Sequence, residues 1–361
     1  MNNIKEKVKK MKLKAIKRKF TILLLISVIF TLNFVGSILF NTSIVFAADA
    51  TDYDFTDELE EDRVGIGFIW TSETKTLKIT GIKNNSAIVK LPENSTIDIL
   101  GNAENTIKGL ICQGNLTVEG NNNASLNITG CSCSTPIGYL SSIYIYDNLT
   151  IKNGNIKIAS SGIGYSMSQL TYAGIYCKKI IVDGGEFDVN IGGLRSGSQI
   201  LYAVFNNEKI ILNDGTIHIE SEEGTGIRGK CEINGGFMEV ITGKTHNAFK
   251  VVPSINPLTD WDISYSDNSE TEEIQADITD IYNIYNKPIV KISKKIKIGD
   301  LNDDGKVNGK DWNKMYDYIN ETAELTRYQL LCGDVNKDGK VNGKDWNRLY
   351  EHINETNPLF L

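Results

Sequence analysis

The 361-residue chain sets 38 Lys and Arg against 45 Asp and Glu, a formal charge of −7. Nine of the bases and one of the acids fall within the first 47 positions, so the remainder stands at 29 against 44, a net −15. A surface this acidic repels phosphate backbones and anionic lipid, which excludes nucleic acid as a partner.

The basic start, Lys5 to Lys19, runs into an apolar stretch from Thr21 to Phe40, and then into Val45-Phe46-Ala47 before Ala48. Basic head, apolar middle and small-residue cleavage site predict a secretory signal peptide over 1–47, cut after Ala47. The alternative is an uncleaved anchor, but Asn33, Gly36 and Ser37 weaken a spanning helix. The expectation is a secreted, extracellular chain with no membrane attachment after cleavage. Its six cysteines are Cys112, Cys131, Cys133, Cys177, Cys231 and Cys332. In an exported chain such a number suggests disulfides. Cys177 and Cys231 recur just ahead of a strand, as small stacking residues would, and this favours buried free thiols. No CxxC pairs with zinc spacing occur.

From Val64 to Val252 no helical period is present. A unit recurs instead: a short alternating strand, a bend of Asn, Asp or Gly, and a second alternating strand. Four copies align on a glycine, at Gly154-Asn-Ile156-Lys-Ile158, Gly185-Glu-Phe187-Asp-Val189, Gly215-Thr-Ile217-His-Ile219 and Gly236-Phe-Met238-Glu-Val240. Strand repeats of about 20–30 residues signal a solenoid, whose rungs bury their apolar faces only by stacking. The expected fold is mainly β, a right-handed parallel β-helix over 48–295. The Asn-Gly and Asp-Gly bends also suit the type I′ hairpins of a meander. Bends between strands of one rung, and rung length varying by insertion, favour the solenoid.

The longer rungs carry Gly/Ser/Tyr-rich insertions, and insertions in successive rungs should line one groove. Tyr139, Tyr165, Tyr172, Arg195 and Tyr202 are the candidate carbohydrate-binding residues; the plainer reading is that these side chains brace their own loops. A glycosidase needs two carboxylates flanking the scissile bond. Asp183, Asp188 and Asp214 lie on strands or bends, without an Asp-Asp pair. Arg228-Gly-Lys230 is too short a motif to assign, and His218 and His246 read as solvated. No catalytic residue is assigned, and a binding or structural module is favoured over a polysaccharide lyase or glycoside hydrolase. An acidic stretch from Tyr265 to Asp280 is expected to loop out, and Pro288 to Ile292 to form a final strand capping the stack.

The C-terminal segment duplicates itself. Gly299–Thr322 and Gly333–Thr356 differ at six of 24 aligned positions. Each copy opens with a twelve-residue loop whose positions 1, 3, 5, 7, 9 and 12 supply oxygen, as a hard cation such as Ca²⁺ requires. They are Asp300, Asn302, Asp304, the Lys306 carbonyl, Asn308 and Asp311, then Asp334, Asn336, Asp338, the Lys340 carbonyl, Asn342 and Asp345. Gly305 and Gly339 stand where the loop turns sharply, and Val307 and Val341 are placed to pair the loops back to back. After each loop Trp312, Met315 and Ile319, or Trp346, Leu349 and Ile353, make one apolar helix face. No helix enters either loop, since 291–298 alternates like a strand. A short helix is expected at 323–331.

Loop plus exit helix, twice, resembles the type I dockerin domain over about 299–358, and the domain is expected to span 296–361. The resemblance implies two bound Ca²⁺ ions and docking onto a cohesin module of a scaffolding protein in a cellulosome-like complex. It places the cohesin-binding positions at Gly309, Lys310, Tyr316 and Asp317, and again at Gly343, Lys344, Tyr350 and Glu351. Because positions 10 and 11 are identical in the two copies, it also implies that either face can dock. The Gly-Lys pair departs from the Ser/Thr pair common in the family. The middle region resembles pectate-lyase-like β-helix domains and the carbohydrate-binding repeat domains that accompany dockerins. The combined expectation is a secreted cellulosome component binding polysaccharide; the rivals are a β-helix enzyme and an inert spacer.

Overall fold

A computed structural model describes residues 53–56, 62–120, 124–130, 133–134, 140–161, 172–192, 201–222, 224–243, 246–255, 260–267, 274–275, 284–323, 325 and 327–359. The expected signal segment lies outside them. What is described is mainly β, with a small helical region at the C-terminal end.

The strands assemble into three ladders in which successive repeats pair in parallel. The first joins Thr76–Ile79, Ser95–Ile99, Leu116–Gly120 and Asn148–Ile151 to the C-terminal parts of Tyr172–Val182 and Leu201–Leu212, then to Lys230–Ile233 and Ser254–Ile255. Its register aligns Leu77, Ile97, Val118, Ile151, Val182, Leu212, Ile233 and Ile255 in one buried column. The second runs through Val89, Leu110, Ile143, Ile175, Val204 and Ile227 to a bridge at Phe249. The third stacks Leu126, Ile156, Phe187, Ile217 and Met238. All three columns meet in one apolar core. Side chains alternate across a strand, so every second residue joins a column and its neighbours face out.

The four aligned glycines all hold positive φ, between 73° and 88°. The reason lies between rungs as well as within them. The Gly154, Gly185 and Gly215 carbonyls accept from Glu186, Thr216 and Phe237 N–H at 3.0, 2.9 and 2.9 Å. A Cβ on Gly185 would lie 2.0 Å from the Gly154 oxygen. Both the left-handed backbone and the close stacking demand glycine. Gly185→Ala should therefore lower the denaturant midpoint of the β module far more than a surface change does. An unchanged midpoint contradicts this packing.

Carboxamides stitch the outer bends. Asn148 donates to Asn115 and Asn115 to Asn94, at 2.8 and 2.9 Å. On later rungs Asn234 donates to Asn213 and Asn213 to Asp183, at 2.9 and 2.8 Å. Cys112, Cys177, Cys231 and Cys332 are free and buried, in agreement with the sequence reading, Cys133 is buried, and burial pushes the Cys177 and Cys231 thiols upward.

Antiparallel strands close both ends, where a bare ladder would expose an edge. At the start Arg63–Gly65, Phe68–Thr71 and Thr76–Ile79 form a meander, and Phe55 packs on Trp70 at 4.9 Å. At the finish Ile289–Lys294 lies antiparallel on Phe237–Thr242, with Trp261–Ser266 on its far side, so the expected capping strand is present. Tyr265 belongs to that pairing and not to the acidic loop expected to begin there. The alternation of buried Trp261 and Ile263 explains why.

Among the described residues the α-helices are α1, Gly309–Ile319, α2, Arg327–Gly333, and α3, Gly343–Ile353. Leu301, Met315, Leu325, Val335 and Leu349 form their core. Helix α2 begins later than the 323–331 expected. The closing turn of α1, with Glu321 at φ 59°, uses the Thr322 and Ala323 N–H groups on the Asp317 carbonyl.

Candidate functional site

The two loops, Asp300–Asp311 and Asp334–Asp345, fold through the same set of hydrogen bonds. In the first, Asp300 accepts from Asp304 and Gly305 N–H at 3.1 and 2.9 Å, and Asn302 accepts from Asp304 N–H at 2.9 Å. In the second, Asp334 accepts from Asp338 and Gly339 N–H at 2.9 and 2.8 Å, and Asn336 from Asp338 N–H at 2.8 Å. Asp304 and Asp338 each accept from the N–H two residues on, at Lys306 and Lys340. Gly305 and Gly339, at φ 82° and 84°, let the chain turn around these carboxylates.

Position 12 has two duties. Asp311 accepts from Asn302 and Asn308 N–H at 3.0 and 2.9 Å, and Asp345 from Asn336 and Asn342 N–H at 3.1 and 3.0 Å. With Asn308 and Asn342 capping N–H groups in return, each loop end is also a capping box that starts α1 or α3. Both aspartates are fully buried. Loop closure and helix initiation are thus one structure, which explains why loop and helix are duplicated together.

Oxygen converges accordingly. Carboxylate oxygens of Asp334, Asp338 and Asp345 all lie within 4.8 Å of one another. Such a cluster favours a hard divalent cation, since like charges this close repel without one. In the first loop burial raises the Asp300 carboxyl above its ordinary value, and the charges of Asp311 and Asp303 add to the effect. There the Asp304 carboxylate faces the Asn302 amide at 3.3 Å and the Lys310 ammonium at 3.6 Å. The donor set in both loops fits calcium: carboxylates, carboxamides and a carbonyl, with no sulfur or imidazole. The valines do not pair the loops as strands. Val307 and Val341 pack against the module's core instead.

On the outer side of the helices the repeats make a near two-fold arrangement. The Trp312 and Trp346 rings stack at 4.5 Å, and each meets the other repeat's tyrosine, Trp312 with Tyr350 at 5.8 Å and Trp346 with Tyr316 at 6.0 Å. Tyr316 and Tyr350 remain 49% and 52% exposed. Gly309, Lys310, Asp317, Gly343 and Lys344 are exposed beside them. Glu351 is half-buried and accepts from the Asn357 amide at 2.9 Å. Sequence reasoning had put the tryptophans on the apolar helix face; the pairing of the two copies across the axis needed the fold.

The β module carries a second aromatic group. On the side of the second ladder away from the main core Tyr144, Tyr176 and Phe205 occupy one register column, with Tyr144 and Phe205 buried, at 4% and 2% exposure. Their ring centroids are 5.5 and 5.0 Å apart, Tyr146 adds a ring 4.6 Å from Tyr144, and Tyr202 lies 5.4 Å from Phe205. The Arg228 guanidinium caps the column, 4.1 Å from the Phe205 ring. Only Tyr202 among the five expected sugar contacts can be placed here. Tyr139, Tyr165 and Arg195 lie outside the described residues, as does the side chain of Tyr172. The column itself was missed.

The three aspartates weighed for catalysis do not come together. Asp183 is bonded to Asn213 at an outer bend, Asp188 lies on the third ladder, and Asp214 is buried at a bend. His218 is half-buried rather than solvated, 2.9 Å from Glu239 on the next rung. Burial raises the Asp188 carboxyl, which stands opposite His218 in register.

Among known families, the model of the dockerin type I domain matches residues 298–354. No curated protein and no solved structure matches the chain. The match covers the loops and helices just described and stops short of the β module. At its C-terminal end, therefore, the chain carries a type I dockerin domain, the kind of calcium-binding module by which cellulosome-type proteins dock onto cohesins.

Proposed function

We propose that the chain is a secreted cellulosome component in which a calcium-loaded dockerin, 296–361, holds a polysaccharide-binding β module, 48–295, to a cohesin. The signal segment 1–47 is removed on export. One ion sits in each loop, on Asp300, Asn302, Asp304, Lys306, Asn308 and Asp311, and on Asp334, Asn336, Asp338, Lys340, Asn342 and Asp345. The observation that carries the reading is the matched pair of loop networks leading to an open, near two-fold aromatic face.

Either half of that face docks: Gly309, Lys310, Tyr316 and Asp317 in one orientation, Gly343, Lys344, Tyr350 and Glu351 in the other. Removing an exposed aromatic anchor from an interface costs about 2 kcal/mol, about 30-fold in affinity. Titration of a cohesin against Tyr316→Ala or Tyr350→Ala should show only a small loss, because the other half still serves. The double variant should lose the full factor. An unchanged double variant removes this face from the account.

The three ladders support a right-handed parallel β-helix, since the chain revisits them in a fixed order and parallel crossovers are right-handed in about 98% of cases. Polysaccharide binding is favoured by the aromatic column, whose half-open ring, Tyr146, is 46% exposed. The insertions bearing Tyr139, Tyr165 and Arg195 immediately precede the strands of this column in sequence, and Tyr172 and Tyr202 lie on two of those strands. Affinity electrophoresis through pectin, xylan and glucan gels tests it. The chain should be retarded by at least one, and Tyr146→Ala should abolish the retardation. Equal mobility in all gels leaves the spacer reading.

A further inference from the structure

The two calcium loops are nearly identical in sequence, yet among the described residues only the first is tied to the β module. The loops differ at position 2, Leu301 against Val335, and at position 4, Asp303 against Lys337; position 4 makes the tie. Asp303 is not a metal-ligand position. Its carboxylate pairs with Lys294, the last residue of the capping strand, and with Lys297 at 3.7 Å. Lys297 also reaches Asp260, at 3.8 Å, beside Trp261–Ser266. The Tyr328 hydroxyl on α2 lies 3.4 Å from the Asp303 carboxylate and 3.2 Å from the Lys295 carbonyl, and the Lys294 ammonium sits 4.8 Å from the Tyr328 ring centroid. Lys337 makes no ion pair among the described residues.

We infer that Asp303 anchors the docking module to the β module, so that metal loading of the first loop and the placement of the two modules are coupled. The Lys294 side chain is 15% exposed and that of Asp303 33%, so the pair is partly shielded from the screening that weakens a surface ion pair. Asp303 takes φ 56°, a backbone state fixed by the fold of the loop around Asp300, Asp304 and Asp311. When the cation leaves, those carboxylates repel, the loop opens and Asp303 swings off Lys294. At the second loop position 4 is Lys337, which makes no ion pair among the described residues, so that loop has no direct tie to the junction. The anchor covers neither Tyr316 nor Tyr350, and both docking orientations stay open while the β module keeps a fixed pose behind them. This inference rests on the calcium reading of the loops.

Hydrogen exchange along 294–298 of the full chain tests it. With calcium, the wild type should protect this segment, and Asp303→Asn should raise its exchange rate at least tenfold while retaining helical content. Lys294→Gln with Lys297→Gln leaves every loop residue in place and should do the same. Lys337→Gln should change nothing. Protection that survives both Asp303→Asn and the lysine pair overturns the anchor, as does an equal loss in Lys337→Gln. A chelator that fails to reduce helical content in the wild type would strike the calcium reading itself, a separately visible failure.

Discussion

Stripping calcium from the full chain should unfold the dockerin and leave the β module standing. The magnitudes decide this. A core of five buried side chains in a module of this size supplies no more than about 3–5 kcal/mol. A ligand present at about 1,000 times its dissociation constant contributes about 4 kcal/mol per site. With both loops loaded the metal outweighs the core, so folding and binding become one event. Asp311 and Asp345 make the dependence sharper, because each closes a loop and caps a helix with the same carboxylate. Far-ultraviolet circular dichroism should show the helical component vanish with chelator and return with calcium, while the β component persists. Helical content that does not respond contradicts the account.

The second large effect belongs to the β module. Phe187 is fully buried in the third column, between Ile156 and Ile217 on the adjoining rungs. Its replacement by alanine should cost about 3–5 kcal/mol, from lost transfer energy and the cavity left in a stack that cannot collapse locally. Because each strand of this ladder pairs only with its neighbours, the loss falls on the cooperativity of the stacked strands. Urea unfolding followed by intrinsic fluorescence should show the β transition move to lower denaturant, with cohesin capture unchanged. A loss below about 1 kcal/mol would mean that Phe187 is not gripped as described.

Local chemistry made some features legible in advance. The glycines at 154, 185, 215 and 236 mark real rung corners, because a left-handed bend admits few other residues. Alternation identified Ile156, Ile158, Phe187 and Val189 as inward-facing, since a period of two is all a strand needs. The two loops were readable because the residues that close them are contiguous in sequence. What stayed hidden depends on register between rungs. Tyr144, Tyr176 and Phe205 are far apart in sequence and become neighbours only through the register of the second ladder. His218 finds Glu239 by the same route, and so it looked solvated. The Asp303 anchor was hidden for another reason: its partners belong to a different module, and the repeat comparison shows only that position 4 is free to vary.

The measurement closest to the centre is a calorimetric titration of the full chain with a cohesin module, in calcium and again in chelator. The account predicts tight binding with calcium and none without it, regained when the ion is restored. Binding of equal strength in chelator, or no binding to any cohesin from a dockerin shown to be folded and calcium-loaded, would contradict it.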